Sequence, residues 1–591
     1  VLPGTIVLHF VDPLIFTMIK ICGIILSSIL FVSALNDVDK ERSQFIPPMK
    51  IPLSLSANFG ELRIDHFHSG LDLKTQGVTG KEVLATAQGY IYRISVSPGG
   101  FGKALYVRHP SGYSTIYGHL DHFTPEIEEY VADRQYEEKS YMITLWPPKD
   151  KFRVKQGDLI AWSGNSGSST GPHLHYEIRK SDDESPVNPL DFDFGIKDNI
   201  KPVFEKLFIY PIGKSSLVNG KGSTARLQVL GANGAYYVSP SAQEITIGGR
   251  AGFGIKSFDL INGTNNRFSV YSIELKIDTV TIFRYRMDSF SFNESRYINS
   301  HIDYETYQRD NMYVEREFVL PNDKLSAYSD LVNNGIYDFS DGKKHKVEIT
   351  IKDIRGNRSS LSFRVRSVAG SGGSAGSKIG NGVVMPYNRT NRFESGNVLV
   401  NIPSGTLYDT LNFEFRKTKG NPDMYSPVYQ IHNIYTPTNR TYTLAIKPDR
   451  VPQGEKQKLL IVQIDRDNRR FPLISTWIDG YLTTSPNTFG NFFVGMDTVS
   501  PSLSPVGRIA GADLTGYKSM AFRVTDNFSG IKSYEGFIDS KWALFEYNQK
   551  DNLLIYRFDP KYIEKGKKHD LSLVVTDYQD NSTTYRCSFK W

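Results

Sequence analysis

The chain has 591 residues and a formal net charge of +6, with basic and acidic residues interspersed, so it is too long for one hydrophobic core and calls for about three to five domains. Hydrophobic residues at 39% and aromatics at 13% supply ample core material and exclude general disorder. The densest basic run, Lys565 to Lys568, is short and lacks the interleaved aromatics of a nucleic-acid platform, so no nucleic-acid partner is expected.

The N-terminus reads as an export signal. Met18-Ile-Lys20 is a short positive region, Ile21 to Val32 an apolar core, and Val32-Ser33-Ala34 a small-residue cleavage site. Residues 1–17 read as an extension ahead of a start at Met18. The apolar core is short for a bilayer span, so the expectation is an exported chain of the periplasm or cell envelope with no stable span after signal removal. The alternative is an uncleaved anchor. Ile21-Cys22 does not make a lipid-attachment pattern. Cys22 and Cys587 are the two cysteines; processing leaves one thiol, hence no internal disulfide and no thiolate zinc site. Any metal must be held by histidines and carboxylates.

From Ile46 the sequence becomes short apolar runs bounded by Gly and Pro, among them Val83-Leu-Ala85, Gly89 to Ile94, Ala104 to Arg108 and Leu159 to Trp162. Such runs are strands. Pro125 to Arg134 is the best helix candidate. This β-rich domain, about 46–193, is expected to fold alone.

Seven of the twelve histidines fall between His66 and His175. They form three motifs: His68-Ser-Gly-Leu-Asp72, Tyr117-Gly-His119-Leu120 and Gly171-Pro-His173-Leu-His175. On a strand, residues two apart share a face about 6.6–7 Å apart, so His173 and His175 can enter one cleft, one on a metal and the other beside the water it activates. Four residues of extended strand span about 13 Å, too far for His68 and Asp72 to share a metal through bonds of about 2.0 Å. The chain must bend between them, and Gly70 supplies the freedom. His68, Asp72 and His175 then make a two-His, one-carboxylate zinc set with one open position, leaving His119 and His173 for proton transfer and oxyanion stabilisation. Spacing alone says metal site and does not name a substrate.

Beyond Lys201 the strands continue without the histidines. Gly254-Ile-Lys-Ser257 recurs as Gly530-Ile-Lys-Ser533, and Gly342-Lys-Lys-His345 as Gly566-Lys-Lys-His569. The second pair is followed each time by a strand and an Asp-x-x-x-Asn turn, Asp353 to Asn357 and Asp577 to Asn581. Two related β-sandwich domains are expected, 201–367 and 503–591, the first with an insertion around Met287 to Asp330. His345 and His569 read as turn residues at strand entrances. Residues 368–377 form a Gly/Ser linker with an end-to-end distance of roughly 15–18 Å, and 378–502 a middle β domain.

The ordered motifs His68-Ser-Gly-Leu-Asp72, Val83 to Gly89, Gly99-Gly-Phe-Gly102, Tyr113 to Leu120, Val154-Lys-Gln-Gly157 and Ser163 to Glu177 resemble the lysostaphin/LytM-type murein endopeptidases from about Asn58 to Leu190. The resemblance implies an antiparallel β fold with a groove over one Zn2+. By motif position His68, Asp72 and His175 are its ligands, and His119 and His173 are catalytic. It also implies peptidoglycan stem peptides and cross-links as the partner. The segment from Leu120 to Val154 is longer than the family pattern and is a candidate groove wall or lid; the short stretch from Leu35 to Pro52 leaves little room for an inhibitory pro-segment. The expected fold is therefore mainly β: a LytM-type antiparallel peptidase domain followed by three β-sandwich, immunoglobulin-like domains, which offer surfaces for envelope protein partners. His109 reads as a hairpin-turn residue, His122 and Arg63 as surface residues, and His66 as a candidate for the same cleft. The competing functions are a non-catalytic LytM-like regulator or scaffold that activates other wall hydrolases, and a surface adhesin.

Overall fold

Short runs of β-branched and aromatic residues between glycine turns pair into antiparallel sheets in the computed structural model, which describes residues 45–239, 244–368 and 382–591. The export signal, Cys22 and all but the first residue of the Gly/Ser linker lie outside the described residues. No described helix is long and apolar enough to cross a membrane.

The first sheet contains β1 (Leu55–Ala57), β2 (Leu71–Lys74), β3 (Gly89–Val96), β4 (Lys103–Arg108) and β5 (Tyr113–Phe123), then α1 (Pro125–Glu138), β6 (Leu159–Ser163) and β7 (His173–Lys180). The spatial order is β1-β2-β7-β5-β4-β3, with β6 against β5. Leu71, Leu73, Tyr117, Leu174 and Tyr176 are fully buried. Because side chains alternate with period two, burying these residues sends Asp72, His173, His175 and Glu177 to the opposite face and locks the register.

Helix α1 begins with Pro at its first turn, buries Ile127 and Val131, and ends at Lys139 in the left-handed conformation. It runs about a turn beyond the stretch the periodicity marks. Helix α1 also contacts the last unit of the chain. Tyr136 stacks on Tyr562 with ring centroids 3.6 Å apart, and Lys561 bridges to Asp133 at 2.6 Å.

The next unit contains β8 (Val203–Pro211), β9 (Ile245–Phe258), β10 (Ser272–Ile277), β11 (Val280–Arg286), β12 (Lys344–Lys352) and β13 (Arg358–Ser367). The long strand β9 pairs with β8 through its second half and, in parallel, with β13 through its start, so its two halves lie in different parts of one twelve-stranded sheet. Residues 382–497 form two five-stranded sheets and a two-stranded one. The last unit holds β14 (Ser502–Pro505), β15 (Ser519–Thr525), β16 (Ile531–Ile538), β17 (Lys568–Asp577) and β18 (Ser582–Lys590) in two four-stranded sheets.

The structure corrects one repeat anchor. Gly254 to Ser257 lie within β9, whereas Gly530-Ile-Lys-Ser533 opens β16, whose counterpart by pairing is β10: β10 pairs with β12 and β16 with β17. The two tetrapeptides are not equivalent. The second pair of motifs is. His345 and His569 are both buried, and each bonds an Asp of the preceding hairpin turn, Asp278 at 3.0 Å and Asp539 at 2.6 Å.

The expectation that 46–193 folds as an isolated unit meets a different arrangement. One apolar core runs without a break from Phe45 to Val365. The inserted stretch after β11 supplies Phe290, whose ring lies 5.5 Å from Phe59 and 5.8 Å from Phe67, just ahead of the His68 motif. Backbone and side-chain bonds join the same surfaces: Ser295 Oγ accepts from Phe67 N at 3.1 Å, and Asn58 Nδ2 donates to Ser269 O at 2.8 Å. Phe290→Ala is expected to cost about 3–5 kcal/mol, the usual penalty for emptying a buried Phe site. Denaturant unfolding of the full chain measures this; a loss under 1 kcal/mol, on the same scale, would show that the two units pack independently.

Candidate metal centre

Strand register brings the site together. His175 on β7 stands opposite Asp72 on β2 and opposite Gly118 on β5. His119, the next residue, has φ 59°, a left-handed kink that breaks the alternation of β5. His68 arrives from the loop ahead of β2. At Gly70 an added Cβ would meet Tyr176 O at 2.3 Å, so the bend between His68 and Asp72 requires glycine through close approach to β7.

Three donor atoms converge. His68 Nε2 lies 3.1 Å from Asp72 Oδ1 and 3.1 Å from His175 Nδ1, and His175 Nδ1 lies 2.8 Å from Asp72 Oδ1. These separations approach the about 3.3 Å edge of a tetrahedron with bonds of about 2.0 Å. The opposite ring nitrogens are committed: His68 Nδ1–H donates to Asn58 O at 2.7 Å and His175 Nε2–H to Glu177 Oε1 at 2.8 Å. That fixes both tautomers with lone pairs pointing inward. Two imidazole lone pairs and a carboxylate oxygen aimed at one point fit a cation. His68, Asp72 and His175 can hold a metal ion, and three ligands leave a fourth position open.

His119 and His173 stand beside this group. Their ring centroids are 4.8 Å apart, and His173 Nε2 lies 3.4 Å from Asp72 Oδ1. Each commits Nδ1 to a carbonyl, Ser166 O at 2.9 Å for His119 and Gly171 O at 2.8 Å for His173. The structure thus gathers all five residues singled out by sequence.

The electrostatics suit a cation. Burial opposes ionisation of Asp72, but the surrounding histidines outweigh it and hold the carboxyl far below its usual range. Burial likewise opposes a charge on His175, yet Asp72 and Glu177 prevail and lift it to about 9; the same carboxylates favour a metal ion in place of that proton. Burial, then the neighbouring His175 and His173, push His119 down to about 3.

Several participants were not apparent in sequence. Arg63, read there as a surface residue, donates to Asp72 Oδ2 at 2.7 Å. Glu177 accepts from Ser69 Oγ at 2.5 Å and from Arg179 as well as from His175; its signal was present, since it continues the alternation of His173 and His175. Burial raises Glu61, beside Arg63, to about 7. Lys550, from a hairpin of the last unit, donates to Asn165 O and to Ser169 O on the loop that carries Ser166. His66 is exposed and bonded to Ile64 O, outside the cluster. His109 sits at the β4–β5 hairpin but is buried, between Gln88 O and Thr115 Oγ1. His122 stacks on Trp162.

Comparison with known proteins places this geometry. Residues 66–136 and 147–189 match peptidase family M23, the gap falling in the segment that sequence marks as an insertion. The chain is 30% identical over 114 residues to lipoprotein NlpD of Yersinia enterocolitica, covering 19% of this chain and 91% of that protein. The chain belongs to peptidase family M23. Its M23 domain is also 35% identical over 123 residues to an uncharacterized metalloprotease of Haemophilus influenzae, and 32% identical over 123 residues to the DD-carboxypeptidase/endopeptidase Mpg of Neisseria meningitidis. Those alignments cover 21% of this chain and 20% and 22% of the relatives, so the chain spans about a fifth of their length. Residues 382–497 match a Zu5-like domain.

Since Glu177 orients His175 in the M23 domain, Glu177→Gln is expected to weaken metal binding about 10–100-fold, as loss of such partners does. Competition titration of zinc against a chromophoric chelator reads this directly; unchanged affinity would remove Glu177 from the site.

Proposed function

We propose that the protein is a zinc-dependent endopeptidase of the bacterial cell envelope, working in the periplasm, and that it hydrolyses peptide cross-links of peptidoglycan. The observation that carries this reading is the convergence of His68 Nε2, Asp72 Oδ1 and His175 Nδ1, with His119 and His173 facing the same point. Two nitrogens and one carboxylate oxygen are a donor set that suits zinc. A zinc ion so held supplies a Lewis acid that lowers the pKa of water from 15.7 to about 7, making it a nucleophile at neutral pH.

The chain's own groups do the rest. His119, neutral at pH 7, presents Nε2 as a base for a proton of the attacking water and returns that proton to the departing amine. His173, carrying protons on both ring nitrogens, donates Nδ1–H to Gly171 O and Nε2–H to the oxyanion that develops on the scissile carbonyl. Glu177 and Asn58 keep the ligand rings in position. Arg63 holds the second oxygen of Asp72, so only Oδ1 faces the site.

His68→Ala, Asp72→Ala and His175→Ala are expected to lose zinc, because three ligands leave none to spare; a full equivalent of zinc in His175→Ala would reject the ligand set. His119→Ala and His173→Ala are expected to keep zinc and lose about 10²–10⁴-fold in rate, read from turnover at matched metal content. Loss of metal from either would reject the assignment of roles within His173-Leu-His175.

The relative named as a DD-carboxypeptidase/endopeptidase directs the proposal to a D-alanine-containing cross-link. Purified cross-linked dimers incubated with the full chain should yield monomers, separated by mass. Release of intact stem peptide from muramic acid would mean an amidase. No turnover by the zinc-loaded protein would favour a regulator or scaffold that binds the wall.

A further inference from the structure

The two units with equivalent hydrogen bonds share one more feature, at the end where the chain enters each. Asp198 precedes Pro202 by four residues and Asp497 precedes Pro501 by four. Ser359 Oγ donates to Pro202 O at 2.5 Å and Thr583 Oγ1 to Pro501 O at 2.5 Å. Asp353 and Asp577 lie in the turns that close β12–β13 and β17–β18. In each turn an Asn clamps the carboxylate through its backbone N and its Nδ2: Asn357 at 2.8 and 2.6 Å, Asn581 at 2.8 and 2.7 Å. The same Nδ2 reaches the entering segment, at Asp198 O (3.3 Å) and Asp497 O (3.2 Å). Asp259 and Asp526 follow β9 and β15 directly and complete the sets.

In both units one ligand atom from each of the three carboxylates lies within 4.8 Å of one from the others. None of the six carboxylates makes an ion pair with a described residue. Asp259 is 3% exposed, and its Oδ1 is buried without a hydrogen-bond partner. Asp526 is half-buried but shares the unpartnered atom: Oδ2 accepts from Phe528 N and Gly530 N, while Oδ1 is buried and unpartnered. A buried carboxylate oxygen with no donor is costly, and two at equivalent positions beside two further carboxylates call for a positive ligand.

We propose that each unit binds one Ca2+ ion, the first between Asp198, Asp259 and Asp353 and the second between Asp497, Asp526 and Asp577. An all-oxygen set with no histidine or thiolate selects a hard cation. Ca2+ bonds of about 2.3–2.6 Å put opposite ligands about 4.6–5.2 Å apart, which accommodates the observed spacing, and Ca2+ accepts several carboxylates where Mg2+ retains its waters. At each site three carboxylates face one another with no cationic side chain of the described residues paired to them, and a dication relieves that repulsion. Each ion ties the incoming chain to two loops of the unit it enters, stiffening the junctions after the M23 domain and after the Zu5-like domain.

The test is equilibrium dialysis of the zinc-loaded full chain against radioactive Ca2+. The wild type should bind two Ca2+ per chain, Asp259→Asn and Asp526→Asn one each, and the double variant none. Excess Mg2+ should leave the Ca2+ bound. No Ca2+ on the wild type, or two retained by the double variant, overturns the proposal. A wild-type stoichiometry of one overturns it for the cluster whose substitution leaves that ion in place. Displacement by Mg2+ overturns the choice of Ca2+. The wild-type stoichiometry needs no substitution, so a variant that fails to fold does not weaken the test, and none of these readings depends on peptidase activity.

Discussion

The hydrogen-bond register of three neighbouring strands is the constraint on which the site depends. With β7 between β2 and β5, His175 stands opposite both Asp72 and Gly118. A slip of one residue would send the histidines into the core and the leucines into the cleft. The burial of Leu71, Leu73, Leu174 and Tyr176 therefore sets the metal geometry as much as the ligands do. Packing on one face holds a cluster of like lone pairs on the other, an arrangement that no local preference would favour.

A second layer of polar contacts converts convergence into chemistry. Asn58, Glu177, Ser166 and Gly171 each take one ring nitrogen of a site histidine. The orientation of the four inward-facing nitrogens is thus set by partners on the outer side of each ring. Glu177 is itself fully buried, and its charge is stabilised by Arg179, which holds it down to about 2 against the cost of burial. An anion so placed makes His175 a better donor to a metal.

The supports come from distant sequence. Phe290 of the second unit packs under Phe59 and Phe67, and Lys550 of the last unit holds the loop carrying Ser166. The M23 domain is therefore braced from below by the unit that follows it and from the side by the unit at the far end of the chain. Helix α1 provides the lateral contact through Tyr136 and Asp133.

The sequence alone carried the β class through period-two alternation and the family through the resemblance of its ordered motifs, both local properties that survive without coordinates, and it singled out the five residues that the structure brings together. It also marked the helix over Pro125 to Arg134 and the His345/His569 repeat. It misjudged Arg63, whose partner Asp72 lies across a bend, and it aligned Gly254 with Gly530 because a four-residue match carries no information about strand pairing. Glu177 was visible in the alternation but had no spacing rule to mark it. Only tertiary structure decided that the inserted stretch around Phe290 completes the core beneath the site, that the last unit returns to the M23 domain, and that Asp198, Asp259 and Asp353 meet. These contacts join residues from about 60 to several hundred positions apart, and chain entropy over such loops grows too slowly with length for sequence distance to encode them.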